Sequence, residues 1–192
     1  MKKLVNLSLY IILMIIAKSG FAQQEISQSS VTNILKLNFF LPGSSYEQKI
    51  GKFQTLHFST YIDLLMEESS ENNYDFTNFN LTPSLNTEFR NYYNVNKREG
   101  KGLRTALNSA NYIAPLYIGR YPNSIYYPDL KWVNQVGAVW GMQRNSPKGF
   151  SLDLNLGLVY TFDAQYFSFL HDPIELILHI ELGFWLGRKP QN

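Results

Sequence analysis

The sequence predicts an all-β fold, an eight-stranded antiparallel up-and-down β-barrel. Three observations carry this. Along 150–162 one face reads Phe150, Leu152, Leu154, Leu156, Leu158, Tyr160 and Phe162, while the other is mostly small or polar. Along 174–186 Ile174, Leu176, Leu178, Ile180, Leu182, Phe184 and Leu186 alternate with Glu175, Ile177, His179, Glu181, Gly183 and Trp185. A period of two is the signature of a strand. Both runs exceed the usual five or six residues and suit a tilted strand that spans a bilayer, so the predicted barrel is a transmembrane one.

The first 22 residues have a basic start (Lys2, Lys3), an apolar centre and a small-residue end at Ala22. That is the layout of a secretory signal peptide cleaved near Ala22. It places the expected localisation in the bacterial outer membrane. The leader holds Lys2, Lys3 and Lys18 and no acid, which leaves 14 basic against 15 acidic residues, a net of −1. Bulk charge thus argues against nucleic acid as a partner. There are no cysteines, so disulfides are excluded.

Residues 23–30 read as a flexible entry segment, 31–188 as the barrel and 189–192 as a tail. Strand one is expected over 31–40, with Leu35, Leu37 and Phe39 opposite Lys36 and Asn38. Turn chemistry at Leu41-Pro42-Gly43-Ser44 separates it from strand two at 44–50. Bacterial single-chain barrels have even strand numbers, which favours two strands here over one bent one, and eight over seven. Strand three is expected over 54–66, an acidic loop rich in Asn and Ser over 67–78, and strand four over 79–95. A basic connection (96–108) leads to strand five at 109–120, where Tyr112, Ala114, Leu116 and Ile118 share a face. A Tyr- and Pro-rich loop, 121–131, precedes strand six at 132–144. The turn at 145–148 opens the final hairpin, whose tip is 163–173. Pro83 and Pro115 fall within proposed strands and are read as bulges or boundary errors.

A soluble lipocalin-like carrier also alternates, with its apolar face inside. Three features favour lipid outside. The polar faces carry mostly Ser, Thr, Asn, Gln and Gly, and charged residues are only 17% of the chain, below the usual quarter. Gly137, Gly141, Gly157 and Gly183 lie on the polar face, where a narrow lumen is crowded. Aromatics (Phe150, Tyr160, Phe162, Phe184, Trp132, Tyr93) stand near stripe ends, as interfacial girdles do.

The chain resembles small bacterial outer-membrane barrels of the OmpA/OmpX architecture. It is most similar to an uncharacterised family with an opening LKLN strand, a Tyr-Glu pair, a Glu-x-Arg-x-Tyr-Tyr strand and a Tyr-rich return strand. The matching residues are Leu35-Lys36-Leu37-Asn38, Tyr46-Glu47, Glu88-Phe89-Arg90-Asn91-Tyr92-Tyr93 and Asn111-Tyr112-Ile113. The resemblance implies an eight-stranded barrel and supplies no activity. Such barrels often end on an aromatic read by the barrel-assembly machinery, whereas here Phe184-Trp185 is followed by seven further residues.

The chemistry-bearing residues of the polar faces form a candidate lumen charge network: Lys36, Glu47, Asp63, Glu88, Arg90, Asp153, Glu175, His179 and Glu181, with His57. A two-residue turn at Leu41-Pro42 would set Lys36 opposite Glu47, and barrel closure would bring Glu181 to the same lysine. The network reads either as a selective path or as salt bridges that fill the lumen. The second is preferred, since side chains fill the interior of eight-stranded barrels and buried charges need partners.

His57-x-Ser59 is the only enzymic hint: some outer-membrane lipid A deacylases use a His-x-Ser pair, a base beside a nucleophile. Residues two apart share a strand face by default, so no catalytic residue is assigned. No metal or cofactor motif appears, His57, His171 and His179 being scattered. Tyr121, Tyr126, Tyr127 and Trp132 are candidate outer-loop contacts for a surface glycan or protein. The functional expectation is a structural or surface-interaction barrel in contact with outer-membrane lipid. The alternatives are a small porin-like pore or lipid-modifying enzyme, and a soluble carrier.

Overall fold

The computed structural model describes residues 31–71, 74–121, 132–162 and 173–187, with the side chains of 64–80 excepted. Eight strands form one closed antiparallel barrel in which each pairs with its neighbours in sequence and the last returns to the first. They are β1 (Ile34–Asn38), β2 (Gly43–Lys49), β3 (Gln54–Glu71), β4 (Tyr74–Asn91), β5 (Asn111–Arg120), β6 (Val133–Asn145), β7 (Phe150–Thr161) and β8 (Ile174–Leu186). A short helix, α1 (Val95–Glu99), lies between β4 and β5.

The final hairpin matches its alternation to within a residue. The first does not. Asn38 pairs with Gly43, so the turn holds four residues rather than two, and Lys36 faces Ser45 while Glu47 faces Ile34. The slip is two residues, which preserves the inward face but removes the expected Lys36–Glu47 pair. The expected loop at 67–78 is also corrected. β3 and β4 are each 18 residues long and stay in one register up to Glu71 and Tyr74, so this polar stretch is strand backbone. A hairpin ladder satisfies the backbone whatever the side chains, so polarity alone does not end a strand.

The prolines are neither bulges nor boundaries. Pro83 pairs with Ile62 and Pro115 with Ala138 in unbroken registers. Tyr121 donates its N–H to the Pro83 carbonyl at 3.0 Å, so the donor Pro83 lacks falls at the last rung of β4 and β5. Pro115 stands level with Phe89, and the β4–β5 ladder skips Phe89 and Arg90. One missing N–H interrupts one ladder locally.

Strands in a closed barrel tilt, and their register is staggered around the circumference. One rung runs from His57 through Glu88, Leu116, Gly137 and Val159 to Glu175. In the other direction it runs through Glu47 and Ile34 to the level of Gly187. The stagger is about 12 residues, and it brings side chains remote in the pairing scheme to one height inside the barrel.

The inner face is polar over most strands. Outside, Leu35, Leu37, Leu81, Phe89, Trp140, Leu156, Phe184 and their neighbours are exposed, reaching 71% at Leu176. β5 is the exception, because the shared face of Tyr112, Ala114, Leu116 and Ile118 points inward. Its other face (Ile113, Pro115, Tyr117) is also apolar, so alternation alone left this strand without a polar side to mark the lumen. The inward set packs with Val31, Tyr92, Val95, Ala110, Val139 and Val159. The β4–β5 connection folds over this end of the barrel, and Asn108 staples it there. The Asn108 side chain accepts the Thr32 N–H at 2.8 Å and donates to the Thr32 carbonyl at 2.9 Å.

Gly141 makes room for a lumen side chain. A Cβ built there would lie 2.1 Å from the Tyr112 ring. Gly141→Ala is expected to push Tyr112 off its partners and to cost about 1–3 kcal/mol as overpacking. A urea titration checks this, and a variant as stable as the parent would show that the ring has another place to go.

Candidate functional site: a buried ion network across the barrel

Each strand contributes a polar side chain to one layer of the interior. Arg90 on β4 is its hub. Its Nε donates to Glu88 Oε2 at 2.7 Å, and its Nη1 donates to Asp153 Oδ2 on β7 at 2.6 Å. Nη1 also donates to Gln143 Oε1 on β6 at 2.8 Å, and the guanidinium lies 4.3 Å from the centre of the Tyr112 ring. The Tyr112 hydroxyl donates to the other Asp153 oxygen at 2.7 Å. Lys36 on β1 donates to Gln143 Oε1 at 2.9 Å and to Asp153 Oδ2 at 3.3 Å. Lys36, Glu47, Glu88, Arg90 and Asp153 are all buried.

Glu47 is held by neutral donors. Its Oε1 accepts the hydroxyls of Thr55 and Tyr92, each at 2.7 Å, and its Oε2 accepts Gln143 Nε2 at 3.1 Å. Gln143 therefore turns its oxygen to the two cations and its amide nitrogen to the carboxylate, coupling the groups that the expected Lys36–Glu47 pair would have joined directly. Glu181 is also placed differently from expectation. It accepts Asn38 Nδ2 at 2.9 Å and lies 3.6 Å from His179, not beside Lys36. This follows from closure, which sets Asn38 against Gly183 and Lys36 against Trp185.

Asp63 and Glu175 belong to a second group. Arg120 Nε lies 3.3 Å from Asp63 Oδ2, and another Arg120 nitrogen donates to Gln135 Oε1. Gln135 Nε2 donates to Thr161 Oγ1 at 2.9 Å, and that hydroxyl donates to Glu175 at 2.6 Å.

The charged members were legible from inward parity, and so were Gln135 and Gln143 on the polar face of β6. Tyr92 continues the polar face of β4, where parity alone marks it as inward. Tyr112 was not legible, since it shares a face with Ala114, Leu116 and Ile118, and Arg120 closes an otherwise apolar strand.

His57 and Ser59 are both buried on β3, yet among the described residues the Ser59 hydroxyl and both His57 ring nitrogens find no hydrogen-bond partner. The hydrogen bond that a base–nucleophile pair would require is not formed in this geometry. Tyr121 and Trp132 pack edge to face at 5.7 Å between centroids, on strand ends that face one another across β5 and β6. Tyr126 and Tyr127 lie outside the described residues, as do the loop tips 122–131 and 163–172.

Compared with protein-family models, with curated proteins and with solved structures, the chain gives no match in any of the three.

Proposed function

We propose that the chain is an outer-membrane β-barrel with a structural or surface-interaction role, its lumen plugged by the ion network. One observation carries the reading: the barrel is polar inside and apolar outside. Lys36 and Arg90 are 0% exposed while Leu178 is 62% exposed. A water-soluble barrel has the opposite arrangement. Exposed apolar side chains in a continuous belt are what hydrocarbon accepts and water does not. β5 to β8, at 10 to 13 residues, meet the length a tilted membrane strand needs. The leader-like start and the resemblance to the OmpA/OmpX architecture support the same address. Lipid is then the first partner and the assembly machinery the second, with Tyr121 and Trp132 on the rim that would meet a surface glycan or protein.

The plug rests on side chains that reach across the lumen between strands that do not pair, with Arg90 of β4 and Lys36 of β1 both reaching Asp153 of β7. Lys36→Ala is expected to lower stability by about 1–3 kcal/mol, the cost of a lost buried charged hydrogen bond. It is expected to leave planar bilayers silent, because Arg90 still spans the interior. Ion-conducting steps from the purified variant would favour the pore reading. The membrane address is tested by fractionation together with heat-modifiable mobility on gels, and a freely soluble periplasmic protein would end it.

A further inference from the structure

Asp153 and Glu181 are direct cross-strand partners on the inner face of β7 and β8. Like charges directly opposite one another destabilise a sheet, and more so where water is excluded. The two cations of this layer do not resolve the conflict. Lys36 and Arg90 both bind Asp153 Oδ2, whereas Glu181 has Asn38 and His179. Buried carboxylates at Glu47, Glu88, Asp153 and Glu181 stand against buried Lys36 and Arg90, an excess of two negative charges among the described residues of the layer.

His57 faces the same place. It is fully buried, and neither ring nitrogen has a hydrogen-bond partner among the described residues. A ligand atom from each of His57, Asp153 and Glu181 lies within 4.8 Å of the others. Ligands of one tetrahedral zinc-type ion stand about 3.4 Å apart, so modest side-chain rotation closes the set.

We propose that His57, Asp153 and Glu181 hold a divalent transition-metal ion. An imidazole with two carboxylates suits zinc, manganese or ferrous iron, while calcium and magnesium prefer oxygen alone. The ion would answer all three observations together. It supplies the two missing positive charges, separates the opposed carboxylates and gives the His57 nitrogen a partner. Asp153 keeps one acceptor site for this, since a carboxylate offers about four and Lys36, Arg90 and Tyr112 occupy three. Lys36 and Arg90 next to it weaken the site, so binding is expected to be reversible by chelators. Asn38 acts as a positioning residue by fixing Glu181. Spacing along the sequence gave no hint of the site because its ligands come from β3, β7 and β8, which only barrel closure brings together. The inference does not depend on the membrane reading.

The full-length barrel, folded and stripped with a chelator, is titrated with Co2+ and with Zn2+. Native mass spectrometry is expected to show one Zn2+ per chain. Co2+ is expected to give visible d–d bands that Zn2+ displaces, and the thermal midpoint is expected to rise with either ion. His57→Gln and Glu181→Gln, the second of which can keep the hydrogen bond from Asn38, are expected to abolish the bands and the rise, while His171→Gln retains both. A folded parent protein that binds neither ion overturns the proposal, as does binding that survives both the His57 and Glu181 substitutions. Where a variant does not fold, the parent's Co2+ spectrum decides, since bands without the signature of nitrogen ligation also overturn it.

Discussion

Arg90→Ala is expected to cost about 3–5 kcal/mol, the range for removing one partner of a buried ion pair and stranding the other. Two carboxylates would lose a partner here, since the guanidinium serves Glu88 at 2.7 Å and Asp153 at 2.6 Å. Asp153 would keep Lys36 and the Tyr112 hydroxyl, but Glu88 would be left with Asn86 and with His57 at 3.9 Å. The Tyr112 ring would also lose the cation it packs against. Lysine is a poor replacement. A point charge cannot reach Glu88, Gln143 and Asp153 from the fixed fork that a guanidinium provides, so Arg90→Lys is expected to recover only part of the loss. Denaturant unfolding of parent and variants checks the order Arg90, Arg90→Lys, Arg90→Ala. A double cycle with Glu88→Gln separates the stranded carboxylate from the lost packing. If Glu88→Gln leaves the cost of Arg90→Ala unchanged, the stranded-charge account fails and packing against Tyr112 is the larger part.

That network shows what a sequence discloses of a barrel and what it does not. Parity discloses the inward face, which is why Lys36, Glu88, Arg90 and Asp153 were recognisable as a set. Which of them touch depends on turn lengths and on the stagger, and both are global quantities. Two extra residues in the first turn moved Lys36 from Glu47 to Ser45, and closure then delivered it to Asp153, 117 positions away in sequence. The outer part of the β3–β4 hairpin is illegible for a different reason. It has the Asn, Ser and acidic residues of a loop, and only the unbroken ladder identifies it as strand. Tyr112 is the opposite case. It is an aromatic in an apolar stripe, and it faces inward because Gly141 leaves it a space there and Asp153 offers its hydroxyl an acceptor.

Leu178→Arg tests the outer face as Arg90→Ala tests the inner one. Leu178 is 62% exposed, points outward and pairs with Leu156 on β7. It is the fifth residue of a 13-residue strand, away from both ends. In a bilayer an arginine near mid-depth must desolvate or drag water and headgroups inward, at a cost of about 2–4 kcal/mol. In water the same change removes an exposed apolar side chain, and surface changes of that kind stay within about 0.5 kcal/mol. The two environments thus predict costs that differ several-fold. Urea titration of folding into lipid vesicles is expected to give the larger value for Leu178→Arg and a much smaller one for Leu178→Ala. The alanine variant loses contact area but adds no charge, so the gap between the two isolates the lipid term. A Leu178→Arg barrel as stable as the parent in vesicles would place this face in water, and the Leu, Ile and Phe belt would then need a protein partner to cover it.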